Sequence, residues 1–399
     1  MTTHSKKRLE RLLCLDDFEA EAKKYLPRAI FEYIAGAAET NFSANDNRAV
    51  FNELAFVPRI LRNVAKPASD IALWDDMYSA PFGIAPMGLS AISAFRGDCV
   101  LAQAAHDKNI PMIMSGSSLI PLEDVARISG NVWFQAYLPG SEDQITSLVQ
   151  RVARAGYQKL VITVDTPVAA NRENNIRAGF STPLRPSLRL LMDGVLHPRW
   201  TLGTFLRTVC MYGIPHFENN YATRGAPIIS RNILRDFSDR GHLDWSHFKL
   251  IRKLWAGKLV VKGIMARPDA LLAREHGADG IIVSNHGGRQ LDGVLSPLRV
   301  LPDIVDACPD IPVMMDSGIR RGTDIVKALA LGAKFVFVGR PFGYAAAIGG
   351  RHGVGHAVDL LASEFKRNLS LLGLTKPQDI NEQCLAVLLN NSVFSKYLG

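Results

Sequence analysis

The sequence predicts an α/β protein: a TIM (β/α)8 barrel with an N-terminal helical extension and a long insertion between strands four and five. Three observations predict it. Eight short runs, at 82–85, 111–114, 132–137, 160–164, 259–261, 280–283, 313–315 and 335–338, are continuously apolar rather than alternating, as parallel strands covered on both faces require. Their centres lie about 21 to 32 residues apart, apart from one gap of about 98, and each ordinary interval suits one right-handed βαβ crossover. Each run hands over to Gly, Ser or polar residues at its C-terminal end, where the loops of such barrels carry chemistry. A doubly wound open sheet is the alternative, but its first strand–helix turn should carry G-x-G-x-x-G, which is absent.

Taken in order, residues 8–38 read as helices broken at Leu26-Pro27, because a proline in a first helical turn leaves no hydrogen bond unmade. Strand one ends in Ala85-Pro86-Met87-Gly88 and strand two in Ser115-Gly116-Ser117. Strand three carries Gln135 and Tyr137, and strand four gives Thr163, Asp165 and then Arg172. Lys262 closes strand five; Ser284-Asn285-His286, with Arg289 behind, closes strand six. Strand seven gives Asp316-Ser317-Gly318-Ile319-Arg320 and strand eight Gly339-Arg340. The chain is read as one domain over 1–399, with a helical segment over about 1–75, a barrel over about 80–375 and an insertion over about 178–243.

Composition narrows the function classes. With 47% hydrophobic and 21% charged residues the chain is neither disordered nor fibrous. A formal charge of +8 admits nucleic acid, an anionic membrane or acidic substrates; without basic–aromatic runs or zinc-finger spacing, nucleic acid is set aside. Five scattered cysteines with no C-x-x-C pair suit a reducing compartment rather than a disulfide framework or zinc site. The opening MTTHSKKRLERLL places charges where a signal peptide needs apolar residues, and no run reaches the roughly 18 apolar residues of a membrane span. The expected location is cytoplasmic, with peripheral attachment to the cytoplasmic face of the inner membrane left open.

Several strand ends carry recognisable chemistry. Gly318 and Gly339 let backbone N–H groups approach an anion, and Arg320 and Arg340 add charge-assisted bonds, a phosphate-site pattern after strands seven and eight. Lys262 ends the apolar run LVVK, so an anionic or strongly polar group should meet its ammonium; the plain alternative is a lysine reaching to the rim. His286, three residues before Arg289 and across the mouth from Asp165, reads as a general base rather than a satisfied core histidine. His352 and His356 have i,i+4 spacing but lie in a Gly-rich loop without a nearby carboxylate, and no metal is expected.

From SNHGGRQLD onward the sequence resembles the FMN-dependent α-hydroxy-acid dehydrogenase/oxidase family, above all its bacterial membrane-associated L-lactate and (S)-mandelate dehydrogenases. Further matching motifs are LPRAIFEYIAGAAET, PFGIAPMG, WFQAY, TVDTP, NNIRAGF, LHPRW, VVKGI, DSGIRRGTDIVKALALGA and GRPFGY, covering nearly the whole chain. The resemblance implies FMN. Pro86, Met87 and Gly88 would line the flavin, Ser115, Gln135 and Thr163 bond its edge, and Lys262 face N1 and the C2 carbonyl. Ser284, Asp316, Ser317, Gly318, Ile319, Arg320, Gly339 and Arg340 would complete the ribityl and phosphate site. It implies a substrate site of Tyr33, Tyr137, Arg172, His286 and Arg289, in which two arginines grip a 2-hydroxy acid through its carboxylate. His286 would then take a proton, with Asp165 stabilising the imidazolium and Lys262 the reduced flavin. Related enzymes are often tetramers, so a homo-oligomer is expected.

Gly88 stands where the family's oxidases tend to have Ala, which favours a dehydrogenase; an oxygen-using oxidase producing H2O2 is the alternative. Ser117 replaces a bulky Trp of glycolate oxidase and leaves room for a larger substrate side chain. Within the insertion, residues 181–210 hold Arg185, Arg189, Arg199 and Arg207 against Asp193, four minus one, or +3. Interleaved Leu188, Leu190, Leu191, Met192, Trp200, Leu202, Phe205 and Leu206 suit an anionic lipid interface. Membrane contact is therefore expected through 181–217, with a quinone as electron acceptor. An FMN isomerase would lack the His286, Arg289 and Arg172 set.

Overall fold

A computed structural model describes residues 7–230, 240–388 and 394. Eight parallel strands close into a barrel: β1 Phe82–Ile84, β2 Met112–Ser115, β3 Val132–Ala136, β4 Lys159–Thr163, β5 Lys258–Ile264, β6 Gly280–Val283, β7 Val313–Met315 and β8 Phe335–Val338. They follow one another in chain order, and β8 pairs with β1 to close the ring. Nearly every strand residue is buried, because the inner face fills the barrel and the outer face is roofed by helices. This is the predicted architecture.

The barrel floor is closed by a hairpin, Ile71–Leu73 with Asp76–Tyr78. Lys159, at the start of β4, is buried beneath it, ion-paired to Asp76 and lying 5.9 Å from the Trp133 ring centre. Above, Trp133 meets Phe337 edge-on at 5.2 Å, and Phe337 lies 5.4 Å from Phe335. Gly83 is what admits this aromatic layer. A Cβ on it would stand 2.6 Å from the Pro111 carbonyl oxygen and 2.9 Å from the Phe337 ring.

The N-terminal extension forms helices Leu15–Tyr25, Arg28–Ala35 and Phe42–Ala49, with the expected break at Leu26-Pro27. It caps the barrel at the C-terminal ends of the strands. Arg299, at the start of helix Pro297–Ala307, ties it down by pairing with Asp46 at 2.7 Å and with Glu53. Asn47 and Asn285 exchange reciprocal side-chain bonds of 2.8 Å. Leu54–Phe56 also pairs antiparallel with Leu385–Val387, joining the two ends of the chain.

The structure corrects the reading in three places. Strand β5 does not end at residue 261 but continues past Lys262 to Ile264, through a bulge at Gly263 (φ +109°). A Cβ at Gly263 would meet Asp165 Cβ at 2.8 Å, so this glycine makes room for an acidic side chain of the site. His352 and His356 are not in a loop but in helix Arg340–Leu371, kinked at Gly350. There the packing surface overrides weak glycine propensity, and His356 Nε2 bonds the Leu12 carbonyl at 2.9 Å. Thirdly, Trp200 does not face outward. It is buried, its indole N–H donating to the Ile92 carbonyl at 2.7 Å, while Leu190 and Phe205 also pack against the body.

Gly83→Ala is expected to destabilise the protein by about 1–3 kcal/mol through overpacking, measured as a lowered denaturation midpoint. Gly130→Ala, where an added Cβ meets nothing within 4 Å, serves as the control.

Candidate active site

The loops at the C-terminal ends of the strands and helix Arg28–Ala35 enclose a cavity of about 390 Å³. Its wall includes Tyr33, Met87, Gly88, Tyr137, Thr163, Arg172, Lys262, His286, Arg289, the run 316–320, Gly339 and Arg340. The predicted site residues therefore converge. Asp165 and Ser284 stand behind that wall and hold His286 and Lys262, while Ser115 accepts from the Ser117 backbone and donates to Gln135.

His286 is the centre of one cluster. Its Nδ1 lies 2.9 Å from Asp165 Oδ1, which fixes the proton on Nδ1 and leaves Nε2 toward Tyr137 Oη at 3.5 Å. Burial pushes the imidazole pKa below its ordinary value, and this outweighs the attraction of Asp165. Burial acts on Asp165 in the opposite sense, but its attraction to the His286 ring, the hydrogen bond from it and Lys262 hold the carboxyl below the usual range. The pair is thus a neutral imidazole on a carboxylate. His286 has φ +58°, a left-handed conformation that L-residues resist. It is held there by its own N–H donating to Ser284 Oγ at 3.0 Å and by Gly287 N–H donating to Ser317 Oγ at 3.0 Å.

Lys262 is buried, and its ammonium meets Asp316 Oδ2 at 3.0 Å and Ser284 Oγ at 2.7 Å. Burial alone would lower its pKa; Asp316 and Asp165 reverse that, so it stays charged. The expected anionic partner is therefore present, and Ser284 links the lysine to the backbone of His286.

Four arginines surround the same space. Arg289 donates to the carbonyls of Gly36 (2.6 Å) and Ile34 (3.2 Å) and lies 5.2 Å from the Tyr33 ring centre. Arg340 donates to Ile34, Gly36 and Gly287, each at 3.0 Å. Arg172 donates to the Arg289 carbonyl at 3.0 Å and to Gln290 Oε1 at 2.6 Å. Arg320 faces Asp16 at 3.7 Å, and its Nε has no hydrogen-bond partner among the described residues. Burial, reinforced by Arg172 and Arg340, presses Arg289 down to about 9; burial likewise takes Arg340 to about 10. Arg172, Arg289 and Arg340 have no carboxylate against them among the described residues, and an anion would supply the counter-charge.

The residues also fit a flat, polar-edged ligand. Gln135 Nε2 and Thr163 Oγ1 are buried without a partner among the described residues, and such groups cost free energy until something bonds them. Gly88 leaves open a point where a Cβ would stand 3.1 Å from both Ser117 Cβ and Tyr33 Oη. Gly318 has a second reason besides the one expected. At φ +87°, its Cβ would stand 1.9 Å from the Asn47 carbonyl oxygen, so the glycine admits the N-terminal extension. Two residues escaped the sequence reading: Gln290, and Arg240, 5.2 Å from the Tyr137 ring centre. Gln290 lay inside the recognised motif; Arg240, within the insertion, carried no local signal.

Comparison with known proteins agrees with this chemistry. The family model described as FMN-dependent dehydrogenase matches residues 22–387. The L-lactate dehydrogenase of Stenotrophomonas maltophilia (strain K279a) is 38% identical over 377 residues, covering 93% of this chain and 98% of that protein. The L-lactate dehydrogenase of Acinetobacter baumannii (strain SDF) is 37% identical over 375 residues, covering 93% and 96%. Among solved structures, the monotopic membrane protein (S)-mandelate dehydrogenase superposes with a TM-score of 0.85 at 33% identity, over 94% of this chain and 100% of that one. Mandelate oxidase with benzoyl-formic acid gives 0.77 at 30% identity, over 95% and 99%.

Loading FMN onto cofactor-stripped protein at one hundred times its Kd is expected to stabilise it by about 2.7 kcal/mol, read as a shift in the denaturation midpoint. Arg320→Met is expected to need a higher FMN concentration for the same shift.

Proposed function

The chain belongs to the FMN-dependent dehydrogenase family, and we propose that it oxidises an L-2-hydroxy acid to the 2-oxo acid, with a quinone-type acceptor at a membrane surface. One observation carries this reading: a neutral His286 backed by Asp165 shares a cavity with the guanidinium groups of Arg172 and Arg289. A 2-hydroxy acid needs those two things, a cationic fork for its carboxylate and a base for its proton.

Bound FMN would supply the two-electron acceptor. Gln135, Thr163, Lys262, Arg320 and Arg340 would hold it, with Met87 and Gly88 against it. The chain's own part is to position and to move one proton. Arg172 and Arg289 take the carboxylate, and burial beneath Tyr33 and Tyr137 keeps water from competing. His286 Nε2 receives a proton, from the substrate carbon or from its hydroxyl, while Nδ1–H continues to donate to Asp165. Protonation turns the pair into an ion pair, so Asp165 stabilises the charge that appears. Lys262, already balanced by Asp316, places a fixed positive charge beside the reacting centre.

The insertion supports the acceptor and its setting. Helix Leu188–Leu196 and the turns after it are two-faced. Asp193, Trp200, Thr204 and Thr208 face the body, whereas Leu188, Leu191, Val195, Leu196 and Leu202 are exposed among Arg185, Arg189 and Arg199. An exposed apolar strip edged with arginines suits an anionic bilayer surface. Among the described residues no helix is long and apolar enough to cross a membrane. An oxygen-using oxidase is the second reading, favoured by the likeness to mandelate oxidase.

Anaerobic mixing with L-lactate, glycolate and (S)-mandelate should bleach the flavin with at least one acid, and no response to any would refute the reading. Peroxide formation in air separates the oxidase. Because His286 must be neutral and burial holds its imidazole below the ordinary histidine pKa, the acid limb of the kcat/KM profile should lie on the acid side of that of an ordinary histidine, with the rate level above it. His286→Gln should lose about 10²–10⁴-fold in turnover while retaining FMN. The double variant Leu191→Glu/Leu196→Glu should no longer bind anionic vesicles. It should lose turnover with vesicle-borne quinone and keep turnover with a soluble dye.

A further inference from the structure

We propose that Gln290 is a positioning residue that joins the proton-accepting pair to the carboxylate clamp, an inference that rests on the reading above. Its side-chain amide is used at both ends. Oε1 accepts from Arg172 Nη2 at 2.6 Å, and Nε2 donates to the backbone carbonyl of Asp165 at 3.2 Å. The neighbouring carbonyl of Arg289 accepts from Arg172 Nε at 3.0 Å, so residues 289 and 290 grip two nitrogens of one guanidinium. The orientation of the amide follows from its partners. Flipped, it would set its NH2 against the guanidinium and its oxygen against a carbonyl, losing both bonds.

The consequence is a direct link between two parts of the site. Asp165 fixes the His286 ring at 2.9 Å, and its backbone is anchored by Gln290. Arg172 is aimed by the other end of that amide. A one-residue bridge therefore sets the distance between the base and the cation that receives the substrate's carboxylate. Gln290 also lines the cavity, next to Arg289 and His286 in sequence and in space.

Two substitutions separate the two ends. Gln290→Glu keeps the shape and still accepts from Arg172, but it cannot donate to Asp165. It also places a carboxylate on the cation the substrate must reach. Gln290→Leu removes both bonds without adding charge. The probe is acetate, a non-reacting monocarboxylate, titrated against FMN-loaded enzyme and read from the visible flavin spectrum, alongside the pH profile of kcat/KM.

Gln290→Glu should weaken acetate binding about tenfold to hundredfold, with KM rising in step and kcat falling less. Gln290→Leu should weaken acetate less than Gln290→Glu does, lower kcat, and displace the acidic pKa of the profile, because the Asp165 loop loses its tether. In an Arg172→Met background, Gln290→Glu should add little further loss of acetate binding. A full stoichiometry of FMN shows that each variant is folded. Acetate binding by Gln290→Glu equal to that of the unaltered enzyme would overturn the proposal. So would penalties that add independently of Arg172, or an unaltered enzyme that binds no carboxylate. If no 2-hydroxy acid bleaches the flavin but acetate behaves as described, the activity reading fails and the role of Gln290 stands.

Discussion

The mouth of the barrel holds more buried positive charge than its own carboxylates balance, and most of the site's design answers that excess. Lys262, Arg172, Arg289, Arg320 and Arg340 share one cavity. Asp316 is committed to Lys262, Asp165 to His286, and Asp16 faces Arg320 at 3.7 Å. Backbone carbonyls orient Arg172, Arg289 and Arg340 but do not neutralise them. Removing ions from water without full compensation is costly, so the folded chain alone is electrostatically incomplete. A phosphate at one end and a carboxylate at the other would complete it, and this is why the cations are distributed around the cavity instead of clustered at one loop.

The same excess explains why a barrel needs its N-terminal extension. The carbonyls that receive Arg289 and Arg340 belong to Ile34 and Gly36, at the C-terminal end of helix Arg28–Ala35. There the helix's unpaired carbonyls carry partial negative charge. Tyr33, on the same helix, lies under Arg289 and is stacked on Phe180 at 4.5 Å. Asn47 then locks the loops of β6 and β7, the first through Asn285 and the second by a carbonyl that only a glycine at 318 can accommodate. The extension is part of the site wall.

How much of this was legible depended on what kind of signal each feature leaves. Eight parallel strands leave continuous apolar runs at regular spacing, so the barrel could be read directly. His286, Lys262 and the two Gly–Arg loops stood at strand ends, where register gave them meaning. Asp165, at the end of strand four, could be read as the partner of His286, but the other partners left no such trace. That Asp316 pairs with Lys262, or that Ile34 and Gly36 receive two arginines, is set by contacts between residues 54 to 306 positions apart. The two-stranded pairings of three residues each are too short for any periodicity. The bulge at Gly263 could not be foreseen without knowing that Asp165 approaches it. Gln290 was overlooked because an amide beside an arginine in a loop has no intrinsic chemistry, and its role lies entirely in what it touches.

The insertion shows how position and chemistry meet. Its helix Leu188–Leu196 is pinned to the rest of the protein by Ala29 N–H donating to Asp193 at 3.1 Å and by Arg189 donating to the Arg177 carbonyl at 2.8 Å. Those anchors lie in helix Arg28–Ala35 and helix Glu173–Ala178, both of which wall the cavity. Ile176 and Val168, 72% and 61% exposed, belong at once to the cavity lining and to the surface. If that strip rests on a bilayer, the cavity opens at the lipid boundary in a fixed orientation. An amphiphilic acceptor and a water-soluble acid would then arrive at one mouth. The anchoring of the insertion would then set how both reach the same cavity.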